Sequence, residues 1–345
     1  MIGTGCIDEI ELQGNGAKGG QLVIQGSLVK GCPSLVNVRV SRTASFSERD
    51  LPTPVVQAQV FLEDRSGNQL LIPQQEPGVY QMELADTSQL LPVVAGNEYR
   101  ISVTISENGQ FQSSWERIHP VPQADSVSLN IVARESLDFN GQVTTNQYIQ
   151  YLIHSPLKAD GATEKARLRW TFESVYQVLE TFVPGPGAGP QTCYVTRGLN
   201  LDKVVLFNGN ETSSDRLEGY FIVEDEIDYQ YGIGFLLRIR QNSLSREAHR
   251  YWDQVSQAIS LSGGLFEASP GVIEGNMSNV NEPEESVLGY FYASEQQDLV
   301  RFVNPVEAGS PAHFCSLPAF DGSDPCLDCQ SIIFSTKEQP PDWGQ

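Results

Sequence analysis

Apolar and polar residues alternate along much of this chain. Val36, Val38 and Val40 are interleaved with Asn37, Arg39 and Ser41. Val56, Ala58, Val60 and Leu62 make a second apolar face, followed by a Ser66-Gly67-Asn68 turn. Tyr99, Ile101, Val103 and Ile105 alternate with Arg100, Ser102 and Thr104. Ile233, Phe235, Leu237 and Ile239 share one face, with Arg238 and Arg240 opposite. Side chains on a strand point alternately to its two faces, so these segments are half-buried strands of antiparallel sheets. Turn residues punctuate them at Gly67, Pro77-Gly78, Gly96-Asn97, Asn108-Gly109 and Asn140-Gly141. The fold class is mainly β, with two antiparallel β-sandwich domains.

One segment keeps a different period. Ala248, Tyr251, Trp252, Val255 and Ile259 form a helical stripe within 245–261. Ser243 or Ser245 caps its start, Glu247 suits the first turn, and Gly263-Gly264 ends it. His119-Pro120-Val121-Pro122 lacks two backbone donors and reads as an inter-domain linker. The expected organisation is a tether over 1–19, a sandwich over 20–122, and a β-rich domain carrying the helix over 123–305. A cysteine-containing tail follows over 306–345. Pro184–Pro190 reads as a loop inside the second domain.

Composition narrows the partners. The 345 residues include 22 Lys plus Arg against 43 Asp plus Glu, a net charge of -21. Such a field repels polyanions, and no basic patch interleaves with aromatics, so nucleic acid is excluded as a partner. No run approaches ~18 apolar residues, so membrane attachment is expected to be covalent or through a partner.

Candidate chemistry is sparse. His119, His154, His249 and His313 form no His-x-x-x-His pair, and His249 falls on the polar side of the expected helix. His313 with Cys315, Cys326 and Cys329 has the donors for zinc but irregular spacing, and an exported chain favours disulfides there. Glu224-Asp225-Glu226 with Asp228 reads as a solvated charge run. Asp321, Asp324 and Asp328 offer hard oxygens without a complete calcium loop. Gly232-Ile233-Gly234 falls within a strand and is no phosphate loop, and no Gly-x-Ser-x-Gly elbow occurs. Cys32 has no base nearby in sequence. The sequence therefore predicts no cofactor, no metal and no catalytic residue. Aromatics crowd the second half, including Trp170, Tyr251, Trp252, Tyr290 and Tyr292. They read as core, or as a platform for a sugar or peptide. Asp125-Ser126-Val127 resembles a short O-glycosylation sequon, making Ser126 its acceptor.

Gly3-Thr4-Gly5-Cys6 resembles the cleavage-and-lipidation box of a bacterial lipoprotein, with Cys6 as the acylated residue. The apolar stretch of a secretory signal belongs upstream of that cysteine, where this chain has Met1 and Ile2; a trimmed signal or a miscalled start accounts for this. With Cys6 set aside, Cys32, Cys193, Cys315, Cys326 and Cys329 remain, enough for two bridges and one free thiol. At least one disulfide is expected among Cys193, Cys315, Cys326 and Cys329, with connectivity open.

These residues together carry a resemblance. Gly5-Cys6-Ile7-Asp8-Glu9-Ile10-Glu11-Leu12, Val94-Ala-Gly96-Asn-Glu-Tyr99 and Gln241-Asn-Ser-Leu-Ser-Arg-Glu-Ala248 with Tyr251-Trp252 are similar to the Bacteroidetes lipoproteins grouped as domain of unknown function 4249. So are Gly275-Asn276, Val287-Leu-Gly-Tyr-Phe-Tyr-Ala-Ser294, Cys326-Leu-Asp-Cys329 and Pro341-Asp342-Trp343. The resemblance implies a lipid-anchored outer-membrane protein, and a first domain like the sandwiches of carboxypeptidase-regulatory type. Asp8, Glu9 and Glu11 resemble the signal that directs such lipoproteins to the cell surface. Gene neighbourhoods in the family imply an outer-membrane β-barrel partner, a TonB-dependent receptor. The expected function is non-enzymatic nutrient capture or uptake with that transporter. The alternative is a structural accessory subunit of an outer-membrane assembly or secretion complex.

Overall fold

The computed structural model describes residues 20–44, 51–85, 91–105, 109–137, 140–180, 190–260, 273–313, 315 and 326–344. These build three sheets and one α-helix. The largest sheet has 11 strands and runs through both halves of the chain. At its centre the strand Leu22–Lys30 lies between Ser34–Arg42 and Phe291–Val303. Outward on one side follow Val79–Leu84 and Gln74–Glu76; on the other, Phe235–Leu244, Arg167–Leu179, Thr192–Leu199 and Ser335–Thr336. All named strand pairs are antiparallel except one: Leu22–Lys30 pairs in parallel with Phe291–Val303, matching Gly26 with Phe291 and Ser27 with Tyr292.

Two smaller sheets cover the two halves of this surface. A six-stranded sheet containing Gln59–Asp64, Glu98–Ile105 and Gly109–Ser113 packs on the first half. Its inward Val60, Leu62, Tyr99, Ile101 and Val103 meet Ile24, Val36, Val38 and Val40. A three-stranded sheet of Ser126–Leu137, Val143–Pro156 and Arg216–Glu226 packs on the second half. There Ile149, Tyr151 and Ile153 meet Trp170, Phe172, Leu237 and Ile239. The architecture is mainly β and of sandwich type, as the alternation predicts. Met277, Val287, Phe291 and Ala293 complete the first core from far along the chain.

Local departures have identifiable reasons. Val56 is exposed because Gln57, at φ 65°, turns the chain before the strand begins at Gln59. Gly232-Ile233-Gly234 lies in the turn preceding Phe235–Leu244, not within the strand, because a Tyr229–Tyr231 3₁₀ turn capped by Asp228 precedes it. The helix spans Arg246–Ser260. Ser245 is its cap: the Oγ accepts the Ala248 amide at 3.0 Å. The Gly263-Gly264 stop and most of the Pro184–Pro190 loop lie outside the described residues.

The tail is fastened rather than loose. Cys193 bonds Cys329 and Cys315 bonds Cys326, while Cys32 is free and exposed. The two loops closed span 136 and 11 residues. On chain-entropy grounds the long one constrains the unfolded chain by roughly 5 kcal/mol and the short one by roughly 3. Trp343 packs edge-on against Tyr194 and Phe302, and Asp342 pairs with Arg238 at 3.1 Å. The three cysteines considered with His313 for zinc are therefore consumed in disulfides.

Gly289 controls the parallel seam. Its φ is 104°, and a Cβ there would collide with the Ile24 carbonyl. The adjoining amides are committed to the same seam: Ile24 N–H donates to Leu288 O at 2.8 Å and Gly26 N–H to Tyr290 O at 2.9 Å. Any side chain must therefore separate the two strands. Gly289→Ala is expected to destabilise the protein by at least ~2 kcal/mol. A chemical denaturation midpoint equal to that of the parent would refute this account of the seam.

Candidate functional site

The stretch Gln241–Ser245 is polar yet buried, and its side chains stitch the first domain to the second. Gln241 accepts the Trp170 indole N–H at 2.8 Å and donates to Pro122 O at 2.8 Å. Asn242 donates to Ser294 Oγ at 3.2 Å, and Ser243 Oγ donates to His119 O. Ser245 Oγ donates to Glu116 Oε2 at 2.7 Å while capping the helix. From the other side, Val121 N–H donates to Glu295 and Ala124 N–H to Gln297. The His119–Pro122 segment, which composition marks as a linker, is thus a strap bonded to two strands of the large sheet.

Glu116 is the centre of this seam. It is 2% exposed and accepts from Tyr290 Oη at 2.5 Å as well as from Ser245. Desolvation pushes its carboxyl up to about 7; the Tyr290 and Ser245 donors pull it partly back, and nearby Glu247 raises it further.

Glu116 thereby holds both walls of a cleft. One wall is the helix, which Ser245 starts and which carries Tyr251 and Trp252. The other is Tyr290 and Tyr292. The floor is the outward face of the first two strands: Gln25 and Ser27 on one, Asn37 and Arg39 on the other, with Gln25 opposite Arg39 and Ser27 opposite Asn37. Arg169 closes one side. The cleft encloses about 220 Å³. Tyr251 stacks on Tyr290 at 4.5 Å between centroids, and Trp252 meets Tyr292 edge-on at 5.9 Å. The Arg169 guanidinium lies 3.7 Å over the Trp252 ring and donates to Tyr292 Oη at 3.3 Å. These contacts fix the aromatic side chains in place before any ligand arrives.

Other predicted positions fall elsewhere. Cys6, Asp8, Glu9 and Glu11 lie outside the described residues, as do Asp321 and Asp324. Ser126 is exposed at the start of an edge strand, beside an Asp125 that pairs with Arg216. Asp328 caps the 3₁₀ turn Cys329–Ser331. Asp225 does not belong to a solvated run: it is mostly buried between Arg197 and Tyr231. His249 is half-buried rather than solvent-facing. Its Nε2 has no hydrogen-bond partner, and burial pushes its pKa down.

One hydrogen-bonded set mimics a hydrolase relay. Ser128 Oγ lies 2.8 Å from His154 Nε2, and Glu218 lies 3.3 Å from Nδ1. The Gly219 amide, however, donates to Nδ1 at 3.2 Å. Nδ1 therefore faces both an amide donor and a carboxylate acceptor, and the position of the ring proton decides which it engages. Sequence reasoning missed this set, because a strand register that places Ser128 opposite Leu152 and Ser126 opposite His154 brings the side chains together without any motif.

Fold and site together define a β-sandwich protein with one amphipathic helix laid across the junction of its two halves. The family model described as Domain of unknown function (DUF4249) matches residues 7–299, and the chain belongs to that family. The matched span includes the Gln241–Ala248 seam and the Tyr290–Tyr292 wall, and ends before the cysteine tail. No curated protein matches the chain.

The buried carboxyl gives a pH signature. The folded pKa of Glu116 is above its ordinary value of 4.5. Between about 4.5 and 7 the folded state keeps a proton that the unfolded state has lost, so stability falls as pH rises through that window. The full shift corresponds to roughly 3 kcal/mol. Thermal melts are expected to drop from pH 5 to pH 8, and Glu116→Gln is expected to flatten that decline. Parallel profiles for the two proteins would remove Glu116 as the source.

Proposed function

We propose that this protein is a cell-surface, outer-membrane lipoprotein, non-enzymatic, that partners a TonB-dependent transporter and captures its nutrient. The observation that carries this reading is the cleft. It is concave, aromatic and preorganised, and its lining of Tyr, Trp, Arg, Asn, Gln and Ser is suited to holding a polar ligand. Among the described residues no carboxylate or histidine lines it, which suits binding better than turnover.

The remaining support comes from the sequence. Cys6 behind Gly3-Thr4-Gly5 is the anchor, and Asp8, Glu9 and Glu11 direct it outward. One acyl chain holds a protein only marginally; two or more, at ~0.8 kcal/mol per buried methylene, hold it stably. Ser126, exposed at the start of its strand, is the O-glycosylation site in this reading.

A specific observation favours the second reading, a structural accessory subunit of an outer-membrane assembly or secretion complex. Ser126–Leu137 is a 12-residue edge strand, and Leu137 and Val143 are exposed at the far end of its hairpin. A long edge that no described strand pairs, with one apolar end, is a ready surface for strand addition by a partner.

Cys6→Ser is expected to leave the fold intact and release the protein from membranes. Fractionation decides this, and unchanged attachment would eliminate the anchor. Affinity purification of the parent in mild detergent is expected to recover a β-barrel transporter. Recovery of the protein alone would count against both readings. A general envelope defect on deletion, without loss of growth on any one nutrient, would favour the accessory subunit.

A further inference from the structure

We infer that the cleft binds an acidic saccharide, a sugar ring bearing a carboxylate, through Arg39 and Arg169; this rests on the capture reading above. The first observation is electrostatic. Most arginines in this acidic chain are neutralised: Arg100, Arg134, Arg197, Arg216, Arg238 and Arg301 each pair with a carboxylate. Arg39 and Arg169 have no carboxylate partner among the described residues, and both open onto the one cleft. Arg169 uses one of its donors on Tyr292 and keeps its plane on Trp252, so its other donors are already oriented. An anion seated there gains two charge-assisted contacts. The net charge of -21 does not forbid this. Surface charges more than about 8 Å away are largely screened at physiological salt, whereas the two guanidinium groups act at contact range.

The second observation is the rest of the lining. Gln25, Ser27 and Asn37 present amide and hydroxyl groups from the outward face of the floor. These donate and accept, matching sugar hydroxyls. Tyr251, Trp252, Tyr290 and Tyr292 supply ring surface and edges against which the C–H face of a sugar packs. The volume of about 220 Å³ is below the ~300–1,000 Å³ of pockets that enclose drug-sized ligands, so one ring or the end of a chain enters.

The third observation argues against an acidic peptide. Extended peptides are commonly recognised by adding a strand to a free sheet edge. The floor strands Leu22–Lys30 and Ser34–Arg42 are both internal, paired on either side, and their backbone groups are engaged. Recognition must therefore come from side chains, which suits a hydroxyl-rich ring.

The test is isothermal titration of the purified full chain with digalacturonate and diglucuronate. Neutral digalactose and cellobiose serve as controls, with tri-glutamate as the peptide probe. A preference of about tenfold or more for the uronates over their neutral counterparts is expected, weakening with added salt. Arg39→Gln, whose side chain is exposed and makes no ion pair with the described residues, is expected to lose about tenfold in uronate affinity with an unchanged melting temperature. Equal affinity for neutral and acidic sugars would overturn the inference. So would tri-glutamate binding in their place, or no binding by any probe. The transporter reading is judged separately: a barrel recovered on purification, with no uronate binding, leaves that reading standing and removes this one.

Discussion

The structure depends on one strand pairing. The first described strand, Leu22–Lys30, lies parallel to Phe291–Val303, and no other pair of named strands is parallel. This contact turns two sandwiches into a shared 11-stranded sheet. It also brings Ser27 beside Tyr292 and so sets the cleft floor against its wall. A parallel pair cannot be made by a hairpin and needs a long crossover, here most of the chain. Gly289 is the local condition for it, since only a residue without a side chain lets the two backbones approach.

A second layer of order is polar. Gln241, Asn242, Ser243, Ser245, Ser294 and Glu116 are all buried, where unpaired groups would each cost about 1–3 kcal/mol. Each has a partner: Gln241 and Ser243 bond the Pro122 and His119 carbonyls of the strap, Asn242 bonds Ser294, and Ser245 bonds Glu116. Through Ser245 the network ties the start of the helix to Glu116. Tyr290 carries this order outward, with its hydroxyl on Glu116 and its ring against Tyr251. A buried acid thus positions an aromatic wall without touching what the wall contacts.

Much of the fold is legible in the sequence, because a period of two is a direct print of strand geometry. Val36, Val38 and Val40 are buried, and so are Tyr99, Ile101 and Val103. The helix is legible too, since Ser245 and the Ala248–Ile259 stripe obey local rules. Periodicity does not report neighbours, so the pairing of residue 26 with residue 291 leaves no trace in either segment. The strap is hidden for a related reason. Prolines 120 and 122 lack donors, yet the Pro122 carbonyl still accepts, and composition shows only the loss. The cleft is the least legible part. Trp170 and Trp252 are the same residue type in the same half of the chain, and only topology buries the first and leaves the second half-buried at the cleft.

The late completion of the first core also sets an order in time. Residues 22–118 form most of that core, but Met277, Val287, Phe291 and Ala293 fill part of it and Phe291–Val303 covers one edge of its central strand. During synthesis at ~5–20 residues per second, the interval between the two contributions is on the order of ten to thirty seconds. Over that interval a row of valines and an unpaired strand edge stay open. The first sandwich therefore reaches its final packing only when nearly the whole chain has been made.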